Sequence, residues 1–245
     1  MIEAKLSRRQ RVRMAQRIQA LRARWAFRLA AALRGFFQGQ ARRVAGRYRA
    51  GATAAELLPP SEDDRLERLY TVIMRGALED AAELADAQLA PGRKVLDPGL
   101  ESLLRGSGVL IVDINEATRA ALADLLVEAA EEGLNLFQTV NGSDTFPGLR
   151  GTVEETYRNR ARAIARTEMA KAQQRAAHLR YAAAGVREVD IIDGPGCGWT
   201  SHDDPDKANG SRRTVAEADA FPTAHPNCTR VSLPVVVNAA GQEIR

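Results

Sequence analysis

A helical period running through residues 8–38 constrains the fold more than any other feature of this sequence. Met14, Ile18, Leu21, Trp25, Leu29, Ala32 and Phe36 recur every three or four positions and predict one long helix with a single apolar stripe. Arg13, Arg17, Arg24 and Arg28 return with the same period on a neighbouring face. An isolated amphipathic helix is marginal in water, so the stripe must dock on another protein or on the rest of the chain. The Arg series, with Trp25 and Phe36, is the candidate surface for docking DNA or a protein partner.

Charge sharpens that expectation. Residues 1–50 hold 14 Lys or Arg and one acid, Glu3, whereas the rest of the chain holds 21 basic and 30 acidic residues. Such asymmetry bears on partners: the N-terminal segment should be drawn to a polyanion or an acidic protein surface. Aromatic residues make up only 5%, which fits many helices meeting through thin Ala-rich contacts. No run reaches the roughly 18 apolar residues that span a bilayer. The opening MIEAKLSRRQRVRM lacks the apolar centre of a secretory signal. The chain is thus expected to act inside a cell, or inside something assembled there.

Three segments follow from punctuation along the chain. Residues 1–50 read as a basic amphipathic helical arm, 51–112 as a helical region, and 113–245 as a C-terminal domain. Pro59 and Pro60 break the chain before Ser61, which can cap a helix reaching about Leu89, with Leu66, Leu69, Ile73, Leu78 and Leu84 inward. Residues 109–112 suggest a short strand. A helix over 115–132 would be capped by Asn115 and closed by Gly133. Residues 141–151 are turn-rich. Thr152 and Glu155 have capping-box spacing for a helix over 152–184, ended by Gly185. Residues 186–192 and 231–237 then read as strands around a long loop, giving strand-loop-strand over 186–237. The expected fold class is mainly α with a small α+β C-terminal domain, its module two-to-three-stranded and loop-rich.

Two short strands around more than 30 residues of loop need a staple. Both cysteines and two of the three histidines lie in that loop, at Cys197, His202, His225 and Cys228. Structural zinc takes four Cys or His ligands as two close pairs, and zinc binding would supply folding free energy that a polar loop lacks. Zinc is therefore the expected cofactor. A Cys197–Cys228 disulfide, a set of unrelated surface residues, or a catalytic metal with Asp203, Asp204 and Asp206 nearby are the alternatives. His178 reads as a solvated or packed helix residue.

The helix segment RARAIARTEMAKAQQ (residues 160–174), then YAAAGVREVDIIDGPGCGWTSHDDPDKANG, then FPTAHPNCTRVSLPV, resembles the C-terminal domain of the phage-Mu-F-like minor head proteins, also called phage head morphogenesis proteins. The resemblance covers approximately residues 113–237. Arg166, Thr167 and Glu168 match the family's Arg-Thr-Glu segment. The family usually has Cys-x2-Cys at the first turn and a further Cys after His-Pro-x-Cys; here Thr200 and Arg230 stand at those places, leaving His202 as the substitute ligand. Three consecutive helical residues point in different directions, so Arg166, Thr167 and Glu168 are read as structural, tying the helix to the polar loop.

The resemblance implies a virion protein: a minor capsid protein of a bacteriophage, portal-associated inside the head, serving head assembly, DNA packaging or DNA retention. Its implied partners are the portal protein, the major capsid protein and packaged double-stranded DNA, with several copies per particle and no membrane. Its expected location is the head interior near the portal vertex, after assembly in the host cytoplasm. No catalytic residue and no enzymatic activity are expected. The competing readings are a zinc-containing nucleic-acid-binding protein and, more remotely, a metal-dependent hydrolase or nuclease.

Overall fold

A computed structural model describes residues 8–89, 99–106, 109–193, 208–237 and 243–244. Its helices are α1 (Arg8–Arg47), α2 (Ala54–Leu57), α3 (Ser61–Asp86), α4 (Gly99–Gly106), α5 (Val109–Glu131), α6 (Leu136–Asn141) and α7 (Gly148–Ala183). The chain then forms β1 (Glu188–Ile192), β2 (Arg212–Thr214), α8 (Val215–Ala220), β3 (Val231–Pro234), β4 (Val236–Val237) and β5 (Glu243–Ile244). The chain is thus mostly helical with a small antiparallel sheet at its C-terminal end. Its residues divide into two units. Met1–Phe27, Ile73–Ser107 and Ala165–Arg245 form the first, and Arg28–Val72 with Gly108–Ile164 the second. Helix α1 passes from the first unit to the second between Phe27 and Arg28.

The first unit is built on a three-stranded sheet of order β2-β1-β3, antiparallel throughout. Register assigns its faces. Asp190 opposes Leu233 and Ile192 opposes Val231; these side chains share a face, on which Val231 and Leu233 cluster with Ala15 and Ile18 of α1. Val189 and Ile191 point the other way and cluster with Ala177 and Tyr181 of α7 and Val215 and Ala218 of α8. The sheet is a middle layer between helices, so both faces of β1 carry apolar residues. β2 and α8 lie in the stretch read as loop. Thr214 and Glu217 form a reciprocal capping box that starts α8.

The second unit buries Leu29, Leu33, Phe37 and Val44 of α1, Leu66 and Tyr70 of α3, Leu122 and Leu125 of α5, and Phe146 and Leu149 at the start of α7. An ion cluster closes one side. The buried carboxylate of Glu62 accepts from Arg43 (2.8 and 2.6 Å) and from Arg47 (3.0 Å). Asp63 accepts from Asn115 at 2.6 Å and from Arg119.

The buried line of α1 runs through Ala15, Ile18, Arg22, Ala26, Leu29, Leu33 and Phe37. Met14, Leu21, Trp25, Ala32 and Phe36 are half-buried flanks of it, because alanines let neighbouring elements approach more closely than the larger side chains would. The expected strand at 109–112 is the first turn of α5; a short apolar run cannot separate strand from helix. Asn115 is consequently a buried helix-interior residue, bonded to Asp63 and Gln40, and not a cap. Likewise α7 begins at Gly148, so Thr152 lies within the helix and caps nothing. The helix ends are as expected. Gly133 (φ 65°) and Gly185 (φ 77°) adopt the left-handed conformation, and the N–H of Leu134 and of Val186 bond back to Ala129 and Tyr181.

Candidate functional site

In the first unit, α7 from Ala165 onward faces the turn at 224–228 and strand β3. Arg22, on the buried line of α1, is the hub. Its guanidinium donates to the carbonyls of Cys228 (3.2 Å) and Arg230 (2.7 Å), and its Nε to Gln173 Oε1 (2.9 Å). Gln173 in turn donates to the Ile18 carbonyl at 3.0 Å. Gln174 donates to the Arg230 carbonyl (2.8 Å) and accepts from the Ser232 N–H (3.3 Å). Its side-chain amide thereby imitates a neighbouring strand on the edge of β3, which satisfies the groups that would otherwise template a foreign strand.

Thr167 is the contact between the Arg-Thr-Glu segment and the His-Pro-Asn-Cys turn. Asn227 sits at φ 61° and donates its N–H to Thr167 Oγ1 at 3.1 Å. Asn tolerates that left-handed backbone better than other side-chain-bearing residues. Arg166 is exposed, while Thr167 and Glu168 are buried, with Lys171 3.8 Å from Glu168. The three residues therefore point apart, and the buried pair faces the interior.

The turn itself has the features of a thiol held by backbone. Cys228 is 2% exposed, and its Sγ accepts the N–H groups of Ala224 and Arg230, each at 3.5 Å. Such bonds stabilise negative charge on sulfur and suit a thiolate ligand. His225 Nδ1 lies 2.8 Å from the Pro226 carbonyl. A carbonyl only accepts, so Nδ1 carries the proton and Nε2 keeps the lone pair that a metal would use. Cys and His are donor types that structural zinc takes. Cys197 and His202, with Asp203, Asp204 and Asp206, lie outside the described residues. Among the described residues no three His, Cys, Asp or Glu converge as a metal site.

Arg230 makes a different closure. Its guanidinium grips Asp193 in two parallel bonds, Nε to Oδ1 at 2.8 Å and Nη2 to Oδ2 at 3.1 Å, with both side chains buried. Asp193 follows β1 and Arg230 precedes β3. The pair thus clamps the neck of the long loop, at the place where a staple was expected.

His178 is packed and fully bonded: Nδ1 lies 3.3 Å from Asp219 Oδ1 and Nε2 2.9 Å from Ser232 Oγ. The order Ser-His-Asp is that of a nucleophile relay. Ser232, however, is 1% exposed and lies within β3, and its carbonyl accepts from Tyr181 at 3.3 Å. A nucleophile must meet a reacting carbon at about 3–3.5 Å, whereas this hydroxyl faces helix α7. The trio ties helix to sheet. Burial pushes the Tyr181 phenol above its ordinary pKa, against a weaker opposing effect of its bond to Gln88, so it remains a neutral donor.

The expected docking residues divide. Arg13, Arg17 and Arg28 are exposed. Arg24 pairs with Asp80, which also accepts from Trp25 Nε1 at 2.9 Å. The Trp25 ring fills the space over Gly76 of α3, where a Cβ would lie 2.7 Å from it. Phe36 stacks edge-on to Phe37 at 5.1 Å, with the Arg43 guanidinium 5.6 Å above it. Both aromatic rings are thus engaged within their own units. Arg22, Gln173, Gln174, Asp193 and Arg230 were missed as a network. The one available signal was Arg22 itself, four residues from both Ile18 and Ala26 on an otherwise apolar line.

Comparison with known proteins finds no matching family model, no similar curated protein and no similar solved structure. No described helix is long and apolar enough to cross a membrane.

Proposed function

We propose that the chain is a minor head protein of a tailed bacteriophage, docking at or near the portal inside the head and assisting head assembly, DNA packaging or DNA retention. The observation behind this reading is the bond from Asn227 to Thr167. It joins two motifs that resemble the Mu-F-like family, the Arg-Thr-Glu helix and the His-Pro-x-Cys turn, as parts of one framework. Buried side chains in those motifs bond to backbone, which is what a structural module requires and a reaction centre does not. A structural zinc held by Cys197, His202, His225 and Cys228 belongs to the same proposal. The thiol environment of Cys228 and the tautomer of His225 support it, and the metal would pin the loop that Arg230 and Asp193 clamp at its neck.

The test is co-purification with the portal protein encoded beside it, at low and at high salt. Retention at both salts is expected of a largely apolar dock. Loss of portal binding at both, with salt-sensitive binding to duplex DNA instead, would favour the nucleic-acid-binding alternative. Zinc is checked separately by metal analysis of the purified chain: about one zinc per chain is expected, falling on Cys228→Ser. A metal-free wild type would remove zinc from the proposal and leave the portal reading standing.

A further inference from the structure

Two exposed faces, one in each unit, are opposite in charge, and each displays large apolar side chains. On α1, residues 8–28 contain eight arginines and no acid. Arg9, Val12, Arg13, Arg17 and Phe27 all lie on its outward side, with Phe27 76% and Val12 49% exposed. Steps of three, four and seven residues bring them round to the side opposite Ile18 and Arg22. In the second unit, residues 120–149 contain five acids and no base. The outward side of α5 carries Asp124, Val127, Glu128 and Glu131, and α6 follows within five residues with Leu136 60% and Phe137 71% exposed. The capping box of Asn135 and Gln138 fixes the start of α6, so these two side chains are presented by an ordered turn.

We propose that the α5–α6 face of one copy of this chain docks on the outward α1 face of a second copy. Each face repels its own kind, so like faces cannot pair. Unlike faces attract over their arginines and carboxylates, and Phe27, Val127 and Phe137 supply the apolar centre that a specific interface needs. The contact joins two different surfaces and is therefore heterologous, leaving one face of each kind open at the ends of any pair, so that it can repeat. A 20-residue helix face is about 30 Å long and about 10 Å wide, roughly 300 Å² on each partner and below the size of stable interfaces, so the contact is a weak, reversible one. This inference stands apart from the portal reading and needs neither zinc nor DNA.

The experiment is sedimentation of the full chain across the micromolar range, at about 0.1 M and about 1 M salt, where the screening length falls from about 10 to about 3 Å. Mass should rise with concentration at the lower salt and return to the monomer at the higher. Arg13→Gln/Arg17→Gln neutralises one face and Glu128→Gln/Glu131→Gln the other. Both exchanges are at exposed positions, and unchanged circular dichroism shows that each variant folds. Each alone should stay monomeric, and their equimolar mixture should form a one-to-one pair, since each retains the face that the other lacks. A wild type that stays monomeric throughout, or two folded variants whose mixture does not pair, would overturn the proposal. So would duplex DNA binding by the α1 face in a chain that never self-associates.

Discussion

Arg230 and Asp193 form a buried, two-bonded ion pair at the neck of a loop whose flanking strands are only five and four residues long. The charges are fully out of water, so removing one partner leaves the other unpaired. Arg230→Met or Asp193→Leu alone should each destabilise the protein by about 3–5 kcal/mol, while the double replacement, which leaves no orphan charge, should recover most of that loss. Urea denaturation of the three variants is the check. Equal losses that simply add would show that the pair does not act as a unit.

Thr167 and Arg166 offer a contrast between adjacent residues of one motif. Thr167→Val keeps shape and removes the acceptor for the N–H of the exposed Asn227, which should cost about 0.5–1.5 kcal/mol. Arg166→Ala, at an exposed position, should change stability by less than about 0.5 kcal/mol. Thermal melts of both decide whether the motif is structural in the way proposed; a large effect at Arg166 with none at Thr167 would contradict it.

Punctuation was the most legible part of this sequence. Gly133 and Gly185 ended their helices where the pattern placed them, because only a residue free to take positive φ closes a helix that way. The runs at 186–192 and 231–237 were also visible as strand, being β-branched and bounded by turn formers, but the second divides into β3 (Val231–Pro234) and β4 (Val236–Val237), which lie in different sheets. What escaped was tertiary. Nothing local marks 109–112 as helix, and nothing local shows that Arg22 is buried, since an arginine in a basic helix reads as solvated. Gln173 and Gln174 have no meaning until the edge of β3 is set beside them. The capping box at Thr214 could have been read from Thr and Glu three apart, and it starts the helix missed in the loop. At the candidate site, residue types pointed to a staple, and His225 and Cys228 share a turn. The second closure, Arg230 with Asp193, depends on pairing between strands far apart in sequence.

Gly76 tests the contact between α1 and α3 in the first unit. Alanine there would gain about 1 kcal/mol of helix propensity, but its Cβ would sit 2.7 Å from the Trp25 ring, which is tethered by its bond to Asp80. Overpacking of that kind costs about 1–3 kcal/mol, so Gly76→Ala should be neutral to destabilising and should shift Trp25 fluorescence to the red. Trp199→Phe supplies the background in which only Trp25 emits. A stabilised variant with unchanged emission would show that the ring does not rest on Gly76.

Glu62 should make the second unit sensitive to acid. Burial by itself raises its carboxyl pKa, but the hydrogen bonds and charges of Arg43 and Arg47 outweigh burial and hold it below the ordinary carboxylate value. A depressed folded pKa means that the contribution is present in full above the unfolded value of about 4.3 and is lost as pH falls through the folded one. Glu62→Gln should therefore cost about 3 kcal/mol at neutral pH, where it leaves two arginines without their carboxylate. The gap from wild type should stay constant down to about pH 5, start to narrow as pH falls past the unfolded value of about 4.3, and close only as pH passes the depressed folded value. Urea denaturation of both proteins along that pH series measures it. A gap that persists unchanged into acid would mean that Glu62 stabilises through shape alone, and a gap absent at neutral pH would mean that the arginines gain nothing from its charge.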